Sequence, residues 1–102
     1  MKKPENEVVC VAKFLAKEGK DSELLKSLHS LMEPTHKEKG CIRYELNQAI
    51  ENPRVITFIE KFESQEAFDL HCNMDYIVNY FETTAPALVE NQEITLYKEL
   101  LP

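Results

Sequence analysis

The clearest alternation of hydrophobic and polar positions lies between residues 55 and 62. The residues predicted for one face of this segment are Ile56, Phe58, Glu60 and Phe62. A period of two is typical of a strand. Ser64 can then cap a helix with its side-chain oxygen, and Ala67, Phe68 and His71 follow at helical spacing. We therefore expect a helix that packs back over this strand and brings His71 against Phe58 and Phe62.

Similar patterns predict the other elements. The segments are a strand at Val8–Leu15, a helix capped by Asp21 or Ser22, strands at Cys41–Ala49 and Val55–Phe62, the helix after Ser64, a further helix from Asp75 to Ala85-Pro86, and a strand at Glu93–Leu100. Pro34 should interrupt the first helix. Gly40 suits a left-handed helix cap, and Glu51–Arg54 suits a hairpin turn. In the second strand, Ile42, Tyr44 and Leu46 should share one face.

The order β-α-β-β-α(α)-β predicts an α+β fold of the ferredoxin-like, split βαβ type. In it, a four-stranded antiparallel sheet carries helices on one face. We expect a single domain over residues 1–102, with residues 1–7 loose. The other sheet face stays open and carries apolar residues, which favours a homodimer packed sheet to sheet.

The net charge of the chain limits the kinds of molecule that we expect it to bind. The chain of 102 residues has 18 acidic and 12 basic side chains, a net charge of −6. Nucleic acids and anionic membrane surfaces repel an acidic protein, so neither is expected as a partner. The sequence has neither an 18-residue apolar run nor a signal-peptide pattern, and we expect a cytoplasmic protein.

Several kinds of site are disfavoured. His29 and His36 lie roughly 10 Å apart along a helix at 1.5 Å per residue, too far to share a metal ion. With only Gly19 and Gly40, no Gly-rich phosphate loop forms, and no Gly-x-Ser-x-Gly elbow is present. Cys72 adjoins His71, but neighbouring helical residues point about 100° apart, which disfavours a Cys–His nucleophile pair. We expect neither a metal nor a cofactor.

His71 remains the main candidate. One interpretation is a core histidine with satisfied ring nitrogens, and the other is a general base in an apolar pocket, since the ordinary pKa of a histidine side chain lies near neutrality. Tyr76 is the second catalytic candidate, because a buried tyrosine hydroxyl needs a partner. The predicted substrate-binding residues are Tyr44, Phe58, Phe62, Phe68, Met74 and Tyr80. Such a pocket suits a phenol or enol that must lose a proton.

Three motifs resemble the antibiotic biosynthesis monooxygenase family, in particular its small quinol monooxygenases. They are Gly40–Tyr44 (GCIRY), Phe58–Phe62 (FIEKF) and Ala67–His71 (AFDLH), and the resemblance extends from Val8 to Leu100. It implies a dimeric ferredoxin-like fold, a dimeric α/β barrel, with a pocket between sheet and helices. It also implies oxidation of phenolic or quinol substrates by O2 without metal or flavin.

The resemblance assigns His71 to the family's helix histidine, as base or proton relay. Phe62 stands where many members have Trp, Tyr76 where many have a second His, and Phe58 where some have Asn. The chain has no Trp, which disfavours the haem-degrading branch. Two alternatives remain open: an isomerase of a small carbonyl compound, as in autoinducer processing, and a non-catalytic ligand-binding dimer.

Overall fold

The structure is a computed structural model that describes residues 6–101. Most of the segment 1–7 predicted to be loose therefore lies outside the described residues. The elements are β1 (Val8–Ala16), α1 (Asp21–His29), α2 (Met32–His36), β2 (Cys41–Gln48), β3 (Val55–Phe62), α3 (Gln65–Cys72), α4 (Asp75–Asn79), a π-helical turn (Tyr80–Thr84), α5 (Ala85–Leu88) and β4 (Val89–Tyr97). The sheet order is β2-β3-β1-β4, and all neighbours are antiparallel. This is the predicted ferredoxin-like topology.

The core lies between the sheet and the helices. The inward residues of β3 are Ile56, Phe58, Glu60 and Phe62, all buried as the alternation predicted. They pair in register with inward residues of β1, for example Ala12 with Phe58 and Cys10 with Glu60. The sheet therefore presents a carboxyl group among aromatic side chains on its helix-covered face.

The first helical region is interrupted before Pro34, which is earlier than the sequence predicted. α1 ends at His29, and α2 begins at Met32. Pro34 thus lies in the first turn of α2, where its missing N–H removes no intrahelical hydrogen bond. The predicted cap by Asp21 or Ser22 is wrong, because Lys20 occupies the capping position and no side chain caps the helix.

The expected role of Gly40 is also wrong. Among residues 6–101, Gly19 is the one with a positive φ, at 77°. Gly40 is needed for space instead, because a Cβ there would lie 2.5 Å from the Ala67 Cβ on α3. The close approach sets α3 against the start of β2.

Two further boundaries differ from the expectation. The pairing of β2 with β3 shifts between Cys41 and Arg43, and this irregularity leaves Ile42 50% exposed while Tyr44 is buried. Ile42 therefore does not join the inward face. The last helical region continues past Ala85-Pro86 to Leu88, and β4 begins at Val89 rather than Glu93.

Candidate active site

A small cavity lies between the sheet and the helices. Its walls are Cys10, Ala12, Phe14, Tyr44, Phe58, Glu60 and Ile94 from the strands, and Phe68, His71, Cys72, Ile77 and Phe81 from the helical side. Its volume is about 60 Å³, enough for a few water molecules and below the ~300 Å³ of a typical ligand pocket. An aromatic ring enters only if wall side chains move, and half-exposed Ile94 lies at the uncovered edge strand.

His71 reaches this cavity because α3 begins directly after its capping residue, Ser64. The Ser64 hydroxyl accepts a hydrogen bond from the Ala67 N–H at 3.1 Å, as predicted. Phe68 and His71, three residues apart on α3, then share its buried face. The imidazole is 4% exposed.

A carboxylate holds the ring of His71. Nδ1 lies 3.0 and 3.1 Å from the two carboxylate oxygens of Glu38, on the loop between α2 and β2. An ionised carboxylate only accepts hydrogen bonds, so this contact favours the proton on Nδ1 and leaves the lone pair on Nε2. Nε2 has no hydrogen-bond partner within the part of the chain that the structure describes.

Tyr76 binds the same carboxylate. Its hydroxyl donates to Oε2 of Glu38 and lies 3.0 Å from Oγ1 of the buried Thr35. Burial, together with the hydrogen bond to Glu38, raises the pKa of the Tyr76 phenol. Tyr76 therefore stays protonated and acts as a donor that helps fix Glu38.

Aromatic rings enclose the imidazole on several sides. The ring centroid of His71 lies 4.9 Å from that of Phe62, 5.5 Å from Tyr44 and 6.4 Å from Phe68. Tyr44 in turn stacks on Phe58 at 4.5 Å. Burial raises the pKa of the Tyr44 phenol, so this hydroxyl also remains neutral.

Glu60 is the least expected member of the cavity wall. The residue is 4% exposed, and its Oε1 has no hydrogen-bond partner among residues 6–101. Burial, and after it the nearby charge of Glu38, raises its pKa to about 8, while the Cys10 thiol acts in the opposite direction. At neutral pH the group is mainly a carboxylic acid, able to donate a hydrogen bond.

A larger groove of about 700 Å³ crosses the surface near Ser64 and Tyr97. Every described residue along it is at least partly exposed. The enclosed cavity is the better candidate site, because it combines an imidazole and a carboxyl group that are both nearly sealed from water.

The family is decided by a match that covers most of the chain. The model of the family described as "Antibiotic biosynthesis monooxygenase" matches residues 7–83. The chain belongs to this family. The fold and the resemblance seen in the sequence agree with that membership.

Known proteins similar to this chain extend over nearly its whole length. The crystal structure of SO0527 from Shewanella oneidensis is 48% identical, covers 91% of this chain and 90% of its own, and superposes with a TM-score of 0.89. A conserved Methanosarcina mazei protein is 31% identical, with 95% and 96% coverage and a TM-score of 0.85. A Mycobacterium tuberculosis protein named "Putative monooxygenase Rv0793" is 26% identical over 91% of each chain.

Within this antibiotic biosynthesis monooxygenase domain, the predicted site residues separate into two groups. The first group lines the cavity, packs on His71 or bonds its partner Glu38: Tyr44, Phe58, Phe62, Phe68, His71 and Tyr76. Met74 and Tyr80 do not line the cavity. Met74 packs against the core, and the Tyr80 hydroxyl lies 2.7 Å from Oγ of Ser27 on α1.

Sequence reasoning missed the two glutamates. Glu60 carried a signal, because it occupies an inward position between Phe58 and Phe62, where a charged residue is unusual. Glu38 carried none, because it stands between Lys37 and Lys39 and looks like part of a solvated charged turn.

Other chemistry finds little support among the described residues. Cys72 is exposed as a residue, but the desolvation of its thiol, and then the charge of Glu60, raises its pKa to about 11, which keeps the thiol protonated and poorly nucleophilic. No group of three or more His, Cys, Asp or Glu within residues 6–101 is arranged to hold a metal ion. In the same range, no helix is long and apolar enough to cross a membrane.

Proposed function

We propose that this protein is a cofactor-independent monooxygenase that oxidises a small quinol or polyphenol with O2. The observation that supports it most is the buried pair of Glu38 and His71, in which His71 lines a cavity walled in part by aromatic side chains. The independence from metal and flavin is an expectation from the family resemblance.

In this proposal, Nε2 of His71 removes the proton of a phenolic hydroxyl. Glu38 accepts a hydrogen bond from Nδ1 and stabilises the imidazolium that forms. The phenolate is electron-rich and supplies the electrons for O2. One oxygen atom enters the product, and the other leaves as water with the two hydrogens that the substrate loses. Tyr44, Phe58, Phe62 and Phe68 form the aromatic surroundings that limit water.

Oxygen uptake tests this function directly. The purified, metal-stripped protein is given hydroquinone, catechol and larger polyphenols, next to His71→Gln and the control His29→Gln on the exposed side of α1. We expect uptake that falls about 10²–10⁴-fold in His71→Gln, the usual loss for a general base, and is unchanged in His29→Gln. Uptake no greater than that of a buffer blank for every substrate would contradict the proposal.

An isomerase is the second candidate, favoured by one observation. A neutral carboxyl (Glu60) and a carboxylate-supported imidazole (His71) in one cavity also suit proton transfer next to a carbonyl group. Neither Arg43 nor Arg54 lines this cavity, so an unphosphorylated substrate fits better. Exchange of substrate hydrogen with deuterated water, without oxygen uptake, would identify this activity.

A further inference from the structure

We propose that Glu60 is a second catalytic residue of this cavity. Its carboxyl group donates a hydrogen bond to one oxygen of a diphenol, while His71 removes the proton of the other hydroxyl. This inference rests on the proposed function and specifies its substrate class further.

The first support is an unmet hydrogen-bonding capacity. Glu60 is 4% exposed, and its Oε1 is buried without a partner in the described part of the chain. Leaving a buried polar atom unpaired costs about 1–3 kcal/mol. Glu60 also lines the same cavity as His71. A ligand oxygen in that cavity would complete the hydrogen bonding that the protein itself leaves open.

The second support is the contrast between two carboxyl groups near one imidazole. Glu38 accepts hydrogen bonds from His71 and Tyr76. Glu60 has the weak thiol donor of Cys10 as its hydrogen-bonding neighbour and lies close to the negative charge of Glu38. The ionisable groups near Glu60 on the elements packed against it are Glu38, His71, Cys10, Tyr44, Cys41 and Cys72. Among the described residues, no Lys or Arg lines this cavity.

This contrast assigns opposite roles to the two sides of the cavity. The Glu38–His71 side accepts a proton, and Glu60 donates a hydrogen bond. Pairs of groups whose environments drive their pKa values apart are a common basis of acid–base assignments. A substrate with two oxygens can use both sides, whereas a monophenol can use only one. We therefore infer a preference for diphenols over phenol.

Binding under argon tests the role of Glu60 without turnover. The affinity for hydroquinone and for phenol is measured by calorimetry between pH 6.5 and 9 in the wild type, in Glu60→Gln and in Glu45→Gln. Glu45 is an exposed glutamate on β2 and serves as the matched control. We expect only the protonated carboxyl group of Glu60 to bind hydroquinone. With a pKa of about 8, about a tenth of the molecules carry that proton at pH 9. Hydroquinone should therefore bind about tenfold more weakly at pH 9 than at pH 6.5.

The expected pattern is specific to Glu60. The wild type and Glu45→Gln should show the tenfold loss and prefer hydroquinone to phenol, whereas Glu60→Gln should bind with no pH dependence. An unchanged pH profile in Glu60→Gln, or no preference for hydroquinone in the wild type, overturns the inference. So does a failure of the wild type to bind hydroquinone at any pH.

A second measurement covers the case in which Glu60→Gln does not fold. The infrared carbonyl band of a protonated carboxyl group in the wild type should shift when hydroquinone binds under argon, and an unmoved band overturns the inference. Hydroquinone that binds in this manner but is not oxidised in air would contradict the proposed monooxygenase activity alone. Oxidation with no effect of Glu60 would contradict this inference alone.

Discussion

The single residue with the most buried polar contacts in the candidate site is Glu38, which accepts hydrogen bonds from both His71 and Tyr76. Glu38→Ala should lower the free energy of unfolding by about 1–3 kcal/mol, because it leaves the buried Nδ1 of His71 without its acceptor and removes one partner of the Tyr76 hydroxyl. Urea denaturation measures this change.

The control is Glu33→Ala on α2, whose side chain is 84% exposed in a pair with Lys37. Its effect should stay within about 0.5 kcal/mol, as is usual for exposed positions. Equal effects of the two substitutions would show that the contacts of Glu38 contribute no net stability.

Glu60 predicts how stability changes with pH. Its pKa is about 8 in the folded protein against 4.5 for the ordinary group, so the folded state holds a proton that the unfolded state has lost. The stabilisation from this proton is present in full below about pH 4.5 and is lost as the pH rises towards 8, with a slope of up to about 1.4 kcal/mol per pH unit.

Urea denaturation of the wild type and Glu60→Gln at pH 5, 6, 7 and 8 measures this slope. Glu60→Gln should remove this slope, since an amide does not titrate. The free energy of unfolding of the variant, relative to that of the wild type, should therefore be higher at pH 8 than at pH 5. Parallel stability curves for the two proteins would indicate that Glu60 is ionised in the folded state.

The contrast between His71 and Glu38 shows what sequence can predict about this site. His71 follows from local spacing, since Ser64 starts the helix and His71 comes three positions after Phe68. Glu38 lies 33 positions away from His71 in the chain, and only the packing of its loop against α3 brings them together. Local periodicity carries no information about contacts between residues so far apart in the chain. The inward position of Glu60, by contrast, could have been recognised from the alternation in its strand.

At the scale of elements, the sequence predicted all four strands and their ferredoxin-like arrangement, because strand periodicity is strong where one face is buried. The ends of the strands and their local irregularities were less predictable from the sequence. The irregularity that exposes Ile42 depends on pairing with β3. β4 starts at Val89 because it extends along β1, although nearly all its residues are exposed and alternation gives little signal there.

The contact between Gly40 and Ala67 gives a prediction about element packing. Gly40→Ala should destabilise the protein by about 1–3 kcal/mol, because the added methyl group forces α3 away from β2. Ala67→Gly alone should cost about 1 kcal/mol as a helix-interior glycine. In the double variant the two losses should not add, because the second substitution makes room for the first.

The matched control is Gly19→Ala, where no atom lies within 4 Å of the new Cβ but φ is +77°. Its cost comes from the backbone, so Ala67→Gly should give no relief there. Thermal or urea unfolding of these variants measures the coupling. Additive losses for Gly40 and Ala67 would show that the helix adjusts without strain.

At the scale of the whole molecule, one face of the sheet has no helix packed against it within residues 6–101. Val9, Val11 and Leu15 on β1 and Ile59 on β3 are only half-buried on that face, and Tyr97 on β4 is 52% exposed. The strands β1 and β3 are central in the sheet, and Val9, Val11 and Ile59 form an apolar cluster at its middle, bordered by Lys13 and Lys61. We propose that a second copy of the chain covers it, as the family resemblance implies.

Val11 and Ile59 lie opposite each other in the register of β1 and β3, so Val11→Lys with Ile59→Lys places two positive charges at the centre of the proposed interface. We expect the wild type to sediment as a dimer and the double variant as a monomer, because each buried lysine would have to lose its water. Leu70→Lys on the outer side of α3, where Leu70 is 63% exposed, is the control and should remain dimeric.

A wild type that sediments as a monomer at every concentration contradicts the proposed dimer. Dissociation of Leu70→Lys would instead place the interface on the helical layer.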